Sequence, residues 1–157
     1  MAFRACIHAT LVYPLVGQRC TLEDLAPIQS IVDREVCHSL GLNEHCPRAV
    51  LHGPTEFGGL AVPSLYSEDL AAKIVFFLHH MRVQDEVGQK LKVSLAHVQL
   101  EVGIGVNFFQ TDFADFGPLV TPCWVAHLWK ACSRLGFSLQ CVDHELWIPP
   151  LQGPDDA

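Results

Sequence analysis

Charged side chains are scarce in this sequence: they make up 17 % of 157 residues, against 50 % hydrophobic. So low a charge fraction excludes a disordered chain, which lacks the apolar material to bury a core. Basic residues are the scarcer sign, with ten Lys and Arg against seventeen Asp and Glu, a formal net charge of −7 and a pI of about 5.6. That is the wrong sign for a protein whose affinity comes from neutralising phosphates, so nucleic acid is expected to bind weakly if at all. Long apolar runs are missing too. None approaches the roughly 20 residues of a membrane span, which argues against a membrane protein. His8 and Pro14 interrupt the apolar N-terminal segment, and no small-residue cleavage site follows it, so no signal peptide is expected. Internal repeats, low-complexity segments and a Cys-x-x-Cys knuckle are also absent. The seven cysteines are odd in number and scattered, which favours a reducing, intracellular compartment, cytoplasmic or nuclear.

What is present is helical periodicity. The length suits one domain, expected to cover residues 1–151 ahead of a frayed tail at 152–157. Phe3, Ile7, Leu11 and Val12 keep helical spacing until Pro14 stops it, as the end of an element begun upstream would, with Met1 an internal start in a longer frame. Thr21 and Asp24 form a capping box ahead of Leu25, Ile28, Val32 and Val36, with Pro27 expected to kink this helix or delay its start and Gly41 to close it. Leu70, Ile74, Phe77, Leu78 and Met81 mark the buried face of a long helix capped by Ser64 or Ser67. Val87, Leu91, Leu95, Val98 and Val102 mark another, which is expected to lie antiparallel to it after a short connection and to stop at Gly103. Phe108, Phe109, Phe113 and Phe116 suit a loop pinned by aromatic side chains. Thr121-Pro122 opens a last helix with Val125, Leu128, Trp129, Cys132 and Leu135 inward and Gly136 at its end, and Phe137–Val142 alternates weakly as a strand does. The fold class is mainly α: a bundle of about four helices with one short β-hairpin at residues 49–62.

That hairpin rests on Ala49-Val50-Leu51, the break at Gly53-Pro54, the Gly58-Gly59 turn, and Leu60 to Val62 ending at Pro63. The string Pro47-Arg48-Ala49-Val50-x-x-Gly53-Pro54-x-x-x-Gly58-Gly59-Leu60, followed by Leu65-Tyr66 and a long helix, resembles the segment after the polymerase palm in retrotransposon reverse-transcriptase polyproteins. Leu42-Asn43 before it, and Trp147 with Pro149, Leu151 and Gln152 after it, are similar to the same family's pattern. The resemblance implies a thumb or connection region that would brace a primer-template duplex, within a parent RNA-directed DNA polymerase that needs Mg. The palm aspartates are not in this chain. It therefore reads as a truncated or remnant segment, inactive alone and without a cofactor. Its partner would be a palm domain supplied in trans or another protein, consistent with a mean hydropathy of +0.25. The alternatives are a non-catalytic helical interaction module and a small zinc-binding protein.

No catalytic residue is assigned. Phe113-Ala114-Asp115-Phe116 lacks the second aspartate of a metal clamp, and Asp155-Asp156 sits in the tail. Gly103-Ile104-Gly105 lacks the third glycine of a dinucleotide loop. The locally basic interval offers Lys73, Arg82, Lys90 and Lys92 as nucleic-acid contacts, although a run of this size also suits a solvated helix face. No metal site is assigned either; the nearest approach to one is Cys37, His45, Cys46 and His52, with His38 beside them, and Cys123 with His127 is a lone pair. No cysteine sits in a nucleophile turn, and Trp124, Trp129 and Trp147 suit a core better than base stacking.

Overall fold

A computed structural model describes residues 9–139, and these are mainly helical with no strand among them. The expectations for Phe3 and Ile7, for Trp147 and for the tail lie outside the described residues; of the strand expected at Phe137–Val142, Phe137–Leu139 are described and are not extended into a strand, and the rest lies outside them. Packing divides the chain into two compact units, Met1–Ala71 and Ala72–Ala157.

The first unit opens with α1 (Ala9–Val12), followed by a 3₁₀ turn at Tyr13–Leu15 that carries Pro14 in its first positions, where a missing N–H costs nothing. α2 (Leu22–Ser39) starts as its capping box dictates: the Asp24 N–H donates to Thr21 Oγ1 at 3.2 Å, and the Thr21 N–H donates to Asp24 Oδ2 at 2.8 Å. The helix runs on through Pro27, which is exposed. It ends where the Leu42 and Gly41 amides fold back onto the Cys37 and His38 carbonyls. Leu25, Val32 and Cys37 turn inward, and Cys37 packs with Leu51 and Val62 in a small apolar cluster.

Residues 49–62 do not form a hairpin. Arg48–His52 is a short helix, α3, with Pro47 as its N-cap, and Thr55–Phe57 is a 3₁₀ turn. The chain does double back here, but it uses the orphan carbonyls at the end of α3 instead of a strand ladder. Leu60 N–H donates to Val50 O at 2.8 Å, Val62 N–H to Leu51 O at 2.9 Å, and Ala61 N–H to Gly53 O at 2.9 Å. Gly58 takes φ +80, but Gly59 is needed for a different reason: a Cβ there would sit 2.1 Å from Gly53 O. α4 (Leu65–Val83) follows directly on Ser64.

In the second unit, α5 (Glu86–Val102) is capped by Asp85, whose carboxylate accepts the Gly88 N–H at 2.8 Å. It buries Leu91, Leu95, Val98 and Val102 and ends on Gly103 in the left-handed region. α6 (Phe113–Phe116) and α7 (Trp124–Arg134) complete the unit, and α5 and α6 both pack on α7. Trp129 lies at the centre, its ring 5.0 Å from that of Phe108 and 4.9 Å from that of Phe113, and its Nε1–H donates to Thr111 O. Aromatic packing does pin this loop, but a buried amide pins it as well. Gln99 Nε2 donates to Ile104 O at 2.7 Å and Val106 O at 2.9 Å, and Gln99 Oε1 accepts the Phe108 N–H. No described helix is long and apolar enough to cross a membrane.

Candidate functional site

One concave feature of the first unit is a cleft of about 340 Å3 between one face of α2 and the loop leading into α3. Ser30, Asp33, Arg34 and Cys37 form the α2 side, and Cys46 and Arg48 lie opposite. Asp33 and Cys37 share a wall because residues four apart on a helix stack one above the other.

Asp33 is buried, and its hydrogen bonds run away from the cleft. Gln29 Nε2 donates to Asp33 Oδ1 at 2.6 Å, and Gln29 Oε1 accepts the Leu65 N–H at 2.6 Å. On the other side His52 Nε2 lies 3.3 Å from Asp33 Oδ2, while His52 Nδ1 lies 2.9 Å from Val62 O. A carbonyl only accepts, so Nδ1 carries the hydrogen. Val62, His52, Asp33, Gln29 and Leu65 thus form one chain of hydrogen bonds that ties α2 and α3 to the start of α4. Both ring nitrogens of His52 are engaged, which leaves none to activate a nucleophile.

Cys37 is 2 % exposed, and burial, followed by the nearby Cys46 and Asp33, pushes its thiol above the ordinary value. A buried protonated thiol is a poor nucleophile, so the pieces of a Cys-His hydrolase are not assembled here. Of the four residues nearest to a metal set, Cys37 and Cys46 do come together on the cleft. His45 lies on the same rim, exposed, with Nε2 3.8 Å from a Glu44 oxygen, and His52 is committed to Asp33. Among the described residues no group of three or more Cys, His, Asp or Glu is arranged to hold a metal. Cys37, His45, Cys46 and His52 do not converge as the four ligands that a structural zinc ion takes. Cys123 instead caps α7, where its sulfur accepts the Ala126 N–H at 3.3 Å.

The four basic positions are not gathered into one patch. Lys73 is 1 % exposed, set in the buried face of α4, and so is withdrawn from any phosphate. Arg82 is exposed near the end of α4. Lys90 donates to Glu86 at 2.7 Å, which offsets its charge, and Lys92, half-buried, lies two residues on and so roughly 200° around α5. In the second unit Asp115 is exposed on α6, and Asp112 is the residue with a structural task. It caps α6 and accepts the Ser133 hydroxyl at 2.6 Å, and the bonds from the Ala114 N–H and Ser133 hold its carboxyl below the ordinary range. The sequence reading missed Gln29 and Asp33. Their signal was a pair of polar residues at positions 29 and 33, in register with the buried Cys37 four residues on. The chain matches no protein-family model, no curated protein and no solved structure.

Proposed function

We propose that this chain is a helical scaffold, the thumb or connection segment of a retroelement reverse transcriptase without its palm, and that it works by docking on a protein and not by chemistry. The observation that carries the docking reading is apolar surface on the outer stripes of the long helices. Val93 and Leu100, seven residues apart on one face of α5, are 71 % and 68 % exposed, and Val75 and Leu78 on α4 are exposed as well. Large apolar side chains repeated along the solvent stripe of a helix are surface that a partner covers. The ancestry rests on the resemblance of the 47–60 string alone, whose residues form one hydrogen-bonded turn: Pro47 caps α3, and Gly53 and Gly59 meet at backbone distance.

Two measurements test the reading. Primer extension on an RNA template with Mg and the purified chain is expected to give no incorporation, and incorporation above blank would overturn the claim that the chain has no polymerase chemistry. Co-sedimentation with an isolated reverse-transcriptase palm domain is expected to give a complex that Val93→Lys with Leu100→Lys abolishes. A chain that stays monomeric and ignores the palm at every concentration would sink the docking claim.

A further inference from the structure

We propose that Cys37 and Cys46 form an oxidisable dithiol, which a hydroperoxide converts to an intramolecular disulfide that clasps α2 to the loop leading into α3. The placement is specific. Cys37 sits in the last turns of α2 among Leu51 and Val62, and Cys46 is half-buried and packed against that same cluster. Both line the open cleft, and Cys46 rests against the apolar cluster that holds Cys37. The other described cysteines have surroundings of their own. Cys20 lies before α2 against Gln18, Cys123 caps α7 beside Ser94, and Cys132 is buried in α7, where burial pushes its thiol up to about 11.

The order of reaction follows from access. Cys46 is the more open of the two and lines the cleft, so its thiolate is the one that a reagent reaches first. That thiolate attacks one peroxide oxygen and the O–O bond breaks, giving a sulfenic acid on Cys46 and an alkoxide or hydroxide that takes up a proton. Cys37, shielded from bulk reagents but in reach of its neighbour, then attacks the Cys46 sulfur. The S–O bond breaks, and the leaving hydroxide takes the Cys37 proton as water. In sum, two thiols and one hydroperoxide give one disulfide, one alcohol (water when the peroxide is hydrogen peroxide) and one water; the thiols lose two electrons and the peroxide gains them. The bond would close a loop through residues 38–45 and hold the cleft shut at one end, a consequence independent of the chain's ancestry.

The test uses the full reduced chain, hydrogen peroxide as the probe, alkylation of remaining thiols, and peptide mapping without reduction. The first product is expected to be a monomer lighter by two hydrogens with Cys37 joined to Cys46. Cys46→Ser should abolish that product and leave Cys37 unlabelled by a sulfenic-acid trap, whereas Cys37→Ser should let the trapped sulfenic acid accumulate on Cys46. A first disulfide joining other cysteines or two chains would overturn the proposal. So would Cys46 passing to sulfinic acid while Cys37 is still alkylated. If Cys37→Ser does not fold, the wild-type time course and Cys46→Ser still decide.

Discussion

Gly59→Ala removes the turn that joins α3 to α4 without asking the backbone for a conformation that alanine avoids. Gly59 is absent from the positive-φ positions, so any penalty is steric. The new Cβ would lie 2.1 Å from Gly53 O, 2.3 Å from Gly53 C and 2.7 Å from Gly53 Cα, all backbone atoms with no side chain to swing aside. Gly53 and Gly59 must therefore separate. That separation loosens the bonds from Ala61 N–H to Gly53 O, Gly59 N–H to Pro54 O and Leu60 N–H to Val50 O. Each such bond contributes about 0.5–1.5 kcal/mol net, so losing them costs roughly 2–4 kcal/mol. Alanine's smaller unfolded-state entropy returns about 0.4–1 kcal/mol, which leaves a net loss of about 1–3.5 kcal/mol. Gly58→Ala is the control. Its φ is +80 and nothing lies within 4 Å of an added Cβ, so only the left-handed strain of about 1–2 kcal/mol applies. Trp124 and Trp129 both lie in the second unit, so their fluorescence does not report this turn. Native-state hydrogen exchange at Leu60, Ala61 and Val62 does, and those amides should lose protection in Gly59→Ala by more than in Gly58→Ala. Equal protection in wild type and Gly59→Ala would refute the close approach.

Three further outcomes follow from the second unit. Gln84 ends α4 at φ +56, so Gln84→Gly should raise stability by about 0.5–1 kcal/mol, seen as a rise in Tm by tryptophan fluorescence. Gln99→Ala strips three loop groups of their partners, of which the Phe108 N–H is buried, and should cost about 1–3 kcal/mol, with the Phe108 amide losing exchange protection first. Asp85, Glu101 and Asp112 all have carboxyls held below the ordinary range: the Gly88 N–H is the leading cause for the first, the Thr121 hydroxyl for the second and the Ala114 N–H for the third. The folded unit therefore binds fewer protons than the unfolded chain. Its stability should be level above the ordinary carboxylate range of about 4 and fall as pH drops through it toward the lowered values. Glu101→Gln with Asp112→Asn should flatten that fall in Tm against pH, and an unchanged slope would count against the assignment.

Local signals were the legible part of this fold. Thr21 with Asp24, Gly41, Gly103 and Gly136 all stand at helix ends, and each decision involves residues only a turn apart. Of the stripe 87, 91, 95, 98 and 102, the last four are buried as their spacing predicts, while Val87 in the first turn is exposed. Ala49-Val50-Leu51 misled because a three-residue apolar run has no period to separate strand from helix, and a proline N-cap settled it for helix. Lys73 misled in the opposite way. It stands three after Leu70 and four before Phe77, squarely on the apolar stripe of α4, and there position outweighed residue type.

The site was less legible because its partners are far apart in sequence. Asp33 meets His52 nineteen residues on, and His52 in turn meets Val62, so neither spacing belongs to any motif. Counting ligand types near residues 37–52 found the thiols that do meet and also two histidines that do not join them. The 47–60 string has the reverse character. Its proline and glycines are set by a cap, a left-handed turn and a contact too close for any Cβ. Residues fixed by backbone geometry recur in any chain that builds the same turn, so such a string bears on local fold more strongly than on chemistry. Descent from a polymerase is therefore tested by what the surfaces bind, and the outer faces of α4 and α5 are the place to measure it.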